Sequence, residues 1–135
     1  MKWVDTHCHL QLIDETLDSE NFHNIEFLII PGVDTESSLK AKEISSEMDL
    51  ESYWSAGLHP HDAKLLNSQR QSLENLFQEA DLIGETGLDF YRNLSTKEEQ
   101  IENFLFHLEY SKLLDKPIII PVSYTHLTLP TTGVV

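Results

Sequence analysis

Short apolar runs alternate along the chain with longer segments in which apolar residues recur every three or four positions. Five runs have the composition of buried strands: Trp3-Val4, 26–30, 52–58, 82–85 and 118–120. Three segments have helical spacing, through Leu39, Ala41, Ile44 and Met48, through Leu73, Leu76, Phe77 and Ala80, and through Ile101, Phe104, Leu105, Leu108 and Leu113. Continuous apolar strands are typical of parallel sheets covered on both faces. The alternation therefore predicts parallel βα units with right-handed crossovers.

Polar residues mark where two of these helices begin. Asp34-Thr35-Glu36-Ser37 offers a short polar cap followed by an acidic residue in the first turn. Thr96 and Glu99 have the spacing of a capping box. We therefore expect helices to begin at these two points, and Lys116-Pro117 to end the last one.

The composition indicates a soluble, acidic domain. The 135 residues suffice for one domain with a core, and 23 acidic against nine basic side chains give a net charge of -14. Such a chain repels phosphate backbones, so chemistry on a polyanion would require bound cations. One cysteine excludes an intrachain disulfide, and we see neither a signal pattern nor an apolar run long enough for a membrane span. We therefore expect a cytoplasmic protein.

The unusual polar residues follow the ends of predicted strands. They are His7 and His9 after the first strand, His59 and His61 after the third, and Glu85 and Asp89 after the fourth. In barrels and open sheets of parallel strands, functional sites lie at this edge. Residues distant in sequence should therefore meet there.

His7 and His9 are the first candidates for metal binding. Side chains two positions apart on a strand point to the same face, so both imidazoles would project together while Cys8 faces the other way. Imidazole is the commonest metal ligand. The alternative is a structural pair of histidines at a strand end, and convergence with other polar residues favours the metal site.

Three blocks then resemble the TatD family of metal-dependent hydrolases, in the amidohydrolase superfamily. They are Asp5-Thr6-His7-Cys8-His9-Leu10, Gly57-Leu58-His59-Pro60-His61-Asp62 and Ile83-Gly84-Glu85-Thr86-Gly87-Leu88-Asp89-Phe90-Tyr91. The resemblance implies an α/β fold, a partial (β/α)8 TIM-type barrel of about the first five strands, over residues 1–120. It also implies a deoxyribonuclease that cleaves phosphodiester bonds 3'-5', with single-stranded DNA ends as the substrate and no membrane partner.

The resemblance implies roles for individual residues. His7 and His9 would bind the first of two divalent ions (Mg, Mn or Zn), and Glu85 would be a carboxylate shared between the ions. Glu85 and Asp89 are the candidate catalytic residues, and His59 would line the substrate site.

Each assignment has a structural alternative. Glu85 could be a loop or capping carboxylate, and Asp89 could hold a loop or support other site residues. His59 precedes a proline that would aim its side chain, which favours substrate contact over metal ligation. Arg92 could contact a substrate phosphate or remain a solvated loop cation. Further alternatives concern His61 and Asp62 as turn caps, Cys8 as a packing residue, and His23, His107 and His126 as surface or packing residues.

The chain departs from the family pattern after Ile120. Pro121-Val122-Ser123 stands where the family has a metal-binding histidine, and later family ligands have no counterpart. We interpret residues 121–135 as a non-family tail, with sequencing-adapter read-through as the favoured origin and a genuine tail as the alternative. We therefore expect weak metal binding, little or no turnover, and a marginally stable or aggregation-prone chain with an unpaired strand edge.

Two other functions stay open from the sequence. One is an amidohydrolase that cleaves a C–N or ester bond, which the first strand alone also fits. The other is a non-catalytic truncated fragment. The block from Gly84 to Asp89 favours the phosphoesterase.

Overall fold

The structure is a computed structural model that describes residues 1–13 and 19–121. Five parallel strands form one sheet in chain order, β1-β2-β3-β4-β5. They are β1 (Trp3–Asp5), β2 (Ile25–Ile30), β3 (Ser52–Ala56), β4 (Leu82–Gly84) and β5 (Ile118–Ile119). This order, in which each strand pairs with the next along the chain, is that of a half-barrel. The predicted α/β barrel fragment is confirmed.

Three α-helices connect the strands. They are α1 (Thr35–Glu47), α2 (Leu66–Glu79) and α3 (Lys97–Leu114). Two 3-10 turns, Leu10–Leu12 and Ser19–Phe22, lie between β1 and β2, and a third, Pro60–Leu65, precedes α2. No helix among the described residues is long and apolar enough to cross a membrane.

The predicted helix starts are confirmed atom by atom. The Asp34 carboxylate accepts the Ser37 N–H at 2.7 Å at the start of α1. Thr96 Oγ1 accepts the Glu99 N–H, and Glu99 Oε1 accepts the Thr96 N–H in return, which completes the capping box of α3. Asp115, in the left-handed region at φ 53°, ends that helix.

The core lies between the sheet and its helices. Its largest fully buried apolar side chains are Leu28, Ile30, Leu58, Leu73, Phe77 and Ile83. Leu73, Leu76 and Phe77 bury one face of α2 as their spacing predicts.

The apolar positions of α1 and α3 do not all face the core. On α1, Ala41 is buried and Ile44 packs against the core as predicted, as does Met48 directly after the helix. Leu39, however, is exposed, and Ser37 and Ser38 are buried. On α3, Ile101, Leu105, Leu108 and Leu113 are exposed, and the buried residues are Gln100, Asn103, Phe106 and His107. The apolar stripe predicted for α3 is therefore wrong as a buried face.

Candidate metal centre

The two early histidines lie just beyond β1 and not within it. The strand ends at Asp5, one residue beyond the predicted run Trp3-Val4, and the Asp5 carboxylate accepts the His7 N–H at 3.0 Å. The alternation of side chains along a strand, expected to align the two imidazoles, therefore does not apply to them. The Cys8 N–H donates to the Ile29 carbonyl at 3.0 Å, which keeps this segment beside β2. The two imidazoles still meet, with ring centroids 4.8 Å apart.

Glu85 is positioned by the backbone at the end of β4. Gly84 precedes it at φ +134°, a conformation that side chains rarely adopt, and a Cβ there would lie 2.5 Å from the Ile119 carbonyl oxygen. The Glu85 N–H donates to the Gly32 carbonyl at 2.7 Å. The Ser55 hydroxyl donates to the Gly84 carbonyl and accepts the Gly32 N–H. These bonds join the ends of β2, β3 and β4 next to the carboxylate.

The cluster of His7, His9 and Glu85, here called the His-His-Glu cluster, has donor atoms that face one another. Glu85 Oε2 lies 2.9 Å from His9 Nε2, and Glu85 Oε1 lies 3.4 Å from His7 Nε2. The two Nε2 atoms are 3.1 Å apart. The Glu85 carboxylate is buried, while the His7 ring is 43 % exposed, so solvent reaches the cluster from the histidine side.

The donor set fits a divalent cation. One donor atom from each residue lies within 4.8 Å of the others. Ligands about 2.0–2.1 Å from an ion in tetrahedral geometry lie roughly 3.4 Å from each other, close to the separations observed here. Imidazole nitrogen suits zinc and similar ions, and carboxylate oxygen also suits manganese and magnesium. No other group of three such ligands is found in residues 1–13 and 19–121.

The charges within the cluster reinforce one another. Burial on its own raises the pKa of Glu85, but the hydrogen bond with His9 and the nearby charges of His7, His9 and His59 outweigh it and hold the pKa below its ordinary value. The hydrogen bond with Glu85 raises the pKa of His9 in spite of its partial burial. The carboxylate is therefore ionised at neutral pH, as a metal ligand must be.

His59 lies beside the cluster with its ring orientation fixed. The ring Nδ1 of His59 accepts the backbone N–H of His61 at 3.2 Å, and the backbone N–H of His59 donates to the Val33 carbonyl at 2.8 Å. Burial and the neighbouring His61 lower the pKa of His59, against the charges of Glu85, Asp62 and Asp89. A neutral ring whose Nδ1 is an acceptor carries its proton on Nε2.

Asp89 is paired with a histidine and lies outside the His-His-Glu cluster. Its Oδ2 is 2.6 Å from His61 Nε2, and its Oδ1 accepts the Arg92 N–H at 3.2 Å. Burial on its own raises the pKa of Asp89. These hydrogen bonds and the charge of His61 outweigh burial, so the pKa lies below its ordinary value. Arg92 itself is exposed in this loop. Sequence reasoning treated His61 as a turn cap and did not connect it with Asp89.

Buried polar residues of α3 hold the loops of the site, and sequence reasoning missed them. Gln100 accepts the Asp89 N–H at 2.7 Å and donates to the carbonyls of Asp89 and Ser95. Asn103 donates to the Leu58 carbonyl, and His107 Nε2 accepts the Leu58 N–H at 3.0 Å. These three residues are three and four positions apart and so lie on one face of the helix, and this spacing is the pattern in the sequence that could have identified them.

Cys8 packs against the core, and its thiol is a weak nucleophile at neutral pH. Its side chain is half-buried against the core. Burial and the neighbouring Asp5 raise the pKa of its thiol to about 11, so the thiolate is scarce at neutral pH.

A parallel half-barrel that gathers two imidazoles and a carboxylate at the carboxyl edge of its strands defines an α/β-barrel fragment with a candidate metal site. The family model described as "TatD related DNase" matches residues 4–127. The chain belongs to that TatD-related family, as the three sequence blocks predicted. The match passes the boundary predicted at residue 120, and residues 122–135 lie outside the described part, so the tail interpretation stays a prediction.

Two Escherichia coli proteins are similar to the chain in sequence. The chain is 29% identical over 132 residues to the uncharacterized metal-dependent hydrolase YcfH of Escherichia coli K12, covering 87% of this chain and 48% of that protein. It is 35% identical over 103 residues to the 3'-5' ssDNA/RNA exonuclease TatD of the same strain, covering 73% of this chain and 39% of that protein. The chain thus spans half or less of these two relatives.

A solved structure shows the same fold. The crystal structure of YjjV, a TatD homolog from Escherichia coli K12, superposes with a TM-score of 0.75 at 22% identity, over 87% of this chain and 49% of that one. The five strands described here correspond to part of that fold.

Proposed function

We propose that this chain supplies part of the active site of a metal-dependent hydrolase that cleaves phosphodiester bonds in nucleic acid, with single-stranded DNA ends as the substrate. The observation that carries the proposal is the convergence of His7, His9 and Glu85, from two separate strand ends, on one point. A relative that covers much of this chain is named a 3'-5' ssDNA/RNA exonuclease, which favours nucleic acid over other esters.

The His-His-Glu cluster would hold the first ion. When bound, a divalent ion supplies an activated water at neutral pH and polarises a phosphoryl oxygen. Its charge would also offset locally the net charge of -14 that repels a polyanion. Because a carboxylate has two oxygen atoms, Glu85 could be shared if a second ion binds. Magnesium, manganese and zinc are all compatible with this donor set.

His59 is suited to orient the substrate. With Nδ1 occupied by the His61 N–H, its Nε2–H is available to donate to a phosphate oxygen. Asp89 reaches the reaction through His61, so we propose for it a positioning role in place of the catalytic role expected from the sequence.

Metal binding gives the first test. Titration with Mn2+ or Zn2+, followed by calorimetry and by thermal unfolding, should show binding that weakens at least tenfold in His7→Ala, His9→Ala and Glu85→Gln. His23→Ala is the matched control, because His23 is an exposed histidine outside the cluster. Equal affinities in all four variants would contradict the proposed site.

The substrate gives the second test. A fluorescent single-stranded DNA should bind in the presence of Mn2+, lose affinity on chelation, and be shortened slowly from its 3' end by the wild type but not by Glu85→Gln. Chromogenic amides and carboxylic esters are assayed in parallel, because the superfamily alternative predicts their hydrolysis. Metal- and Glu85-dependent cleavage of an amide, with DNA neither bound nor cut, would replace the phosphodiesterase proposal.

A further inference from the structure

The loop that follows β4 carries two aromatic rings on its outer side. Phe90 is 45 % exposed and Tyr91 is 75 % exposed, directly after Asp89. This loop leaves the strand that delivers Glu85 to the His-His-Glu cluster, so the rings belong to the same edge of the sheet. Exposed aromatic rings beside a candidate hydrolytic site require an explanation, because burial would otherwise stabilise them.

Hydrogen bonds within the protein hold the backbone of this loop and so fix where the two rings emerge. Asp89 Oδ1 accepts the Arg92 N–H, and Asn93 takes a left-handed conformation at φ 52°. Gln100, which is fully buried, bonds to both backbone groups of Asp89 and to the Ser95 carbonyl. A rigid loop presents its side chains at little entropic cost to a ligand.

Positive charge accompanies the rings. Lys97 Nζ lies 5.4 Å from the centroid of the Phe90 ring, and Arg92 follows Tyr91 directly. These are the two basic residues between 85 and 100, in a chain that has nine in all. Aromatic rings with adjacent cations are how proteins bind single-stranded nucleic acid, since bases stack on the rings and cations meet the backbone.

We infer that Phe90 and Tyr91 form a stacking platform for an unpaired base next to the hydrolysed phosphodiester, with Arg92 and Lys97 facing the backbone. The inference rests on the proposed function and gives it a reason to prefer single strands, because a base within a duplex has no free face. Stacking on each ring should contribute roughly 5- to 100-fold in affinity.

Fluorescence anisotropy with a labelled oligothymidylate in Mn2+ tests the inference, because it measures binding affinity and does not depend on cleavage. Tyr91→Ala and Phe90→Ala should each weaken binding by roughly fivefold or more, and Tyr91→Phe should restore it. Trp3→Ala is the matched control, because Trp3 is an exposed aromatic residue at the opposite end of the sheet. An abasic oligonucleotide of equal length should bind the wild type more weakly than the thymidylate does. The Phe90→Ala/Tyr91→Ala double variant should bind the two oligonucleotides equally well.

The outcomes separate the two proposals. Metal-dependent binding of DNA that is equal in the wild type, Phe90→Ala and Tyr91→Ala would overturn the platform and leave the proposed function intact. Failure of the wild type to bind DNA with any of the three metals would overturn both. Loss of self-association in Tyr91→Ala, with unchanged DNA affinity, would assign the rings to a protein contact and would also overturn the inference.

Discussion

Asp89 Oδ2 lies 2.6 Å from His61 Nε2 and links the loop after β3 to the loop after β4. An ionised carboxylate only accepts hydrogen bonds, so the proton between these atoms belongs to the imidazole. The other Asp89 oxygen accepts the Arg92 N–H, which leaves both carboxylate oxygens occupied within the protein. The Asp89 carboxylate, which the motif suggested as a catalytic group, thus holds two loops together.

Asp89→Asn should lower the free energy of unfolding by about 1–3 kcal/mol at pH 7, because a buried hydrogen-bonded pair loses its charged member. Urea unfolding measures this, and Asp62→Asn, on the turn that carries His61, is the control. The pKa of Asp89 is lowered in the folded state, so its contribution is complete above the ordinary pKa of 3.8 and is lost as the pH falls further. A stability difference that persists unchanged at pH 2 would contradict this account.

His107 should make the fold sensitive to mild acid. Burial lowers the pKa of this fully buried imidazole from 6.5 to about 4, against the opposing effect of its bond to the Asn103 carbonyl. The unfolded chain therefore takes up a proton between pH 6.5 and 4 that the folded chain does not, and stability falls as the pH drops through this range, by about 3 kcal/mol in all. Urea unfolding of the wild type and His107→Gln across this range should show that only the wild type has this component of the slope. Parallel slopes would show that His107 does not titrate in this way.

Gly84→Ala should cost at least about 2 kcal/mol of stability, because φ +134° is strained for alanine and its Cβ would meet Ile119. Gly87→Ala is a close control: a Cβ there would meet Ile120 Cγ2 at 3.4 Å, an ordinary contact distance. Thermal unfolding compares the two. Equal losses would mean that the approach of β4 to β5 is looser than the distances indicate.

The exposed apolar face of α3 should promote self-association. Ile101, Leu105 and Leu108 lie on one side of the helix, and Leu105 is 57 % exposed. Leu105→Glu should shift the chain toward monomer in sedimentation velocity. Leu113→Glu should not, although Leu113 is 71 % exposed, because it lies about 120° around the helix from Ile101. A wild type that stays monomeric at all concentrations would contradict both this prediction and the expected tendency to aggregate.

Local patterns predicted the strands, the helix starts and the gathering of His7, His9 and Glu85. Apolar runs identify strands of a parallel sheet, and capping residues act within four positions, so both can be read without long-range information. The cluster was predictable because every parallel strand delivers its carboxyl end to one edge.

The buried face of α3 could not be predicted in this way. Periodicity favoured Ile101, Leu105 and Leu108, whereas the sheet side of the helix carries Gln100 and His107. The reason is that the loops at Leu58 and Asp89 leave backbone groups without partners, and polar side chains of α3 satisfy them. The His61–Asp89 pair was hidden for a similar reason, since its members are 28 residues apart and meet only in the folded chain.

The Cys8 and Glu85 amides both donate to the exit of β2, at Ile29 and Gly32, although β2 provides none of the three donor side chains. The distance between the histidine segment and Glu85 is thus a dimension set by the main chain from Ile29 to Gly32, which contributes no ligand side chain. Exchanging side chains at positions 7, 9 or 85 would change the donor atoms of the candidate metal site while leaving that dimension intact. An insertion or deletion between Ile29 and Gly32 would displace both halves at once, so engineers of this scaffold should vary the side chains and preserve the length of that segment.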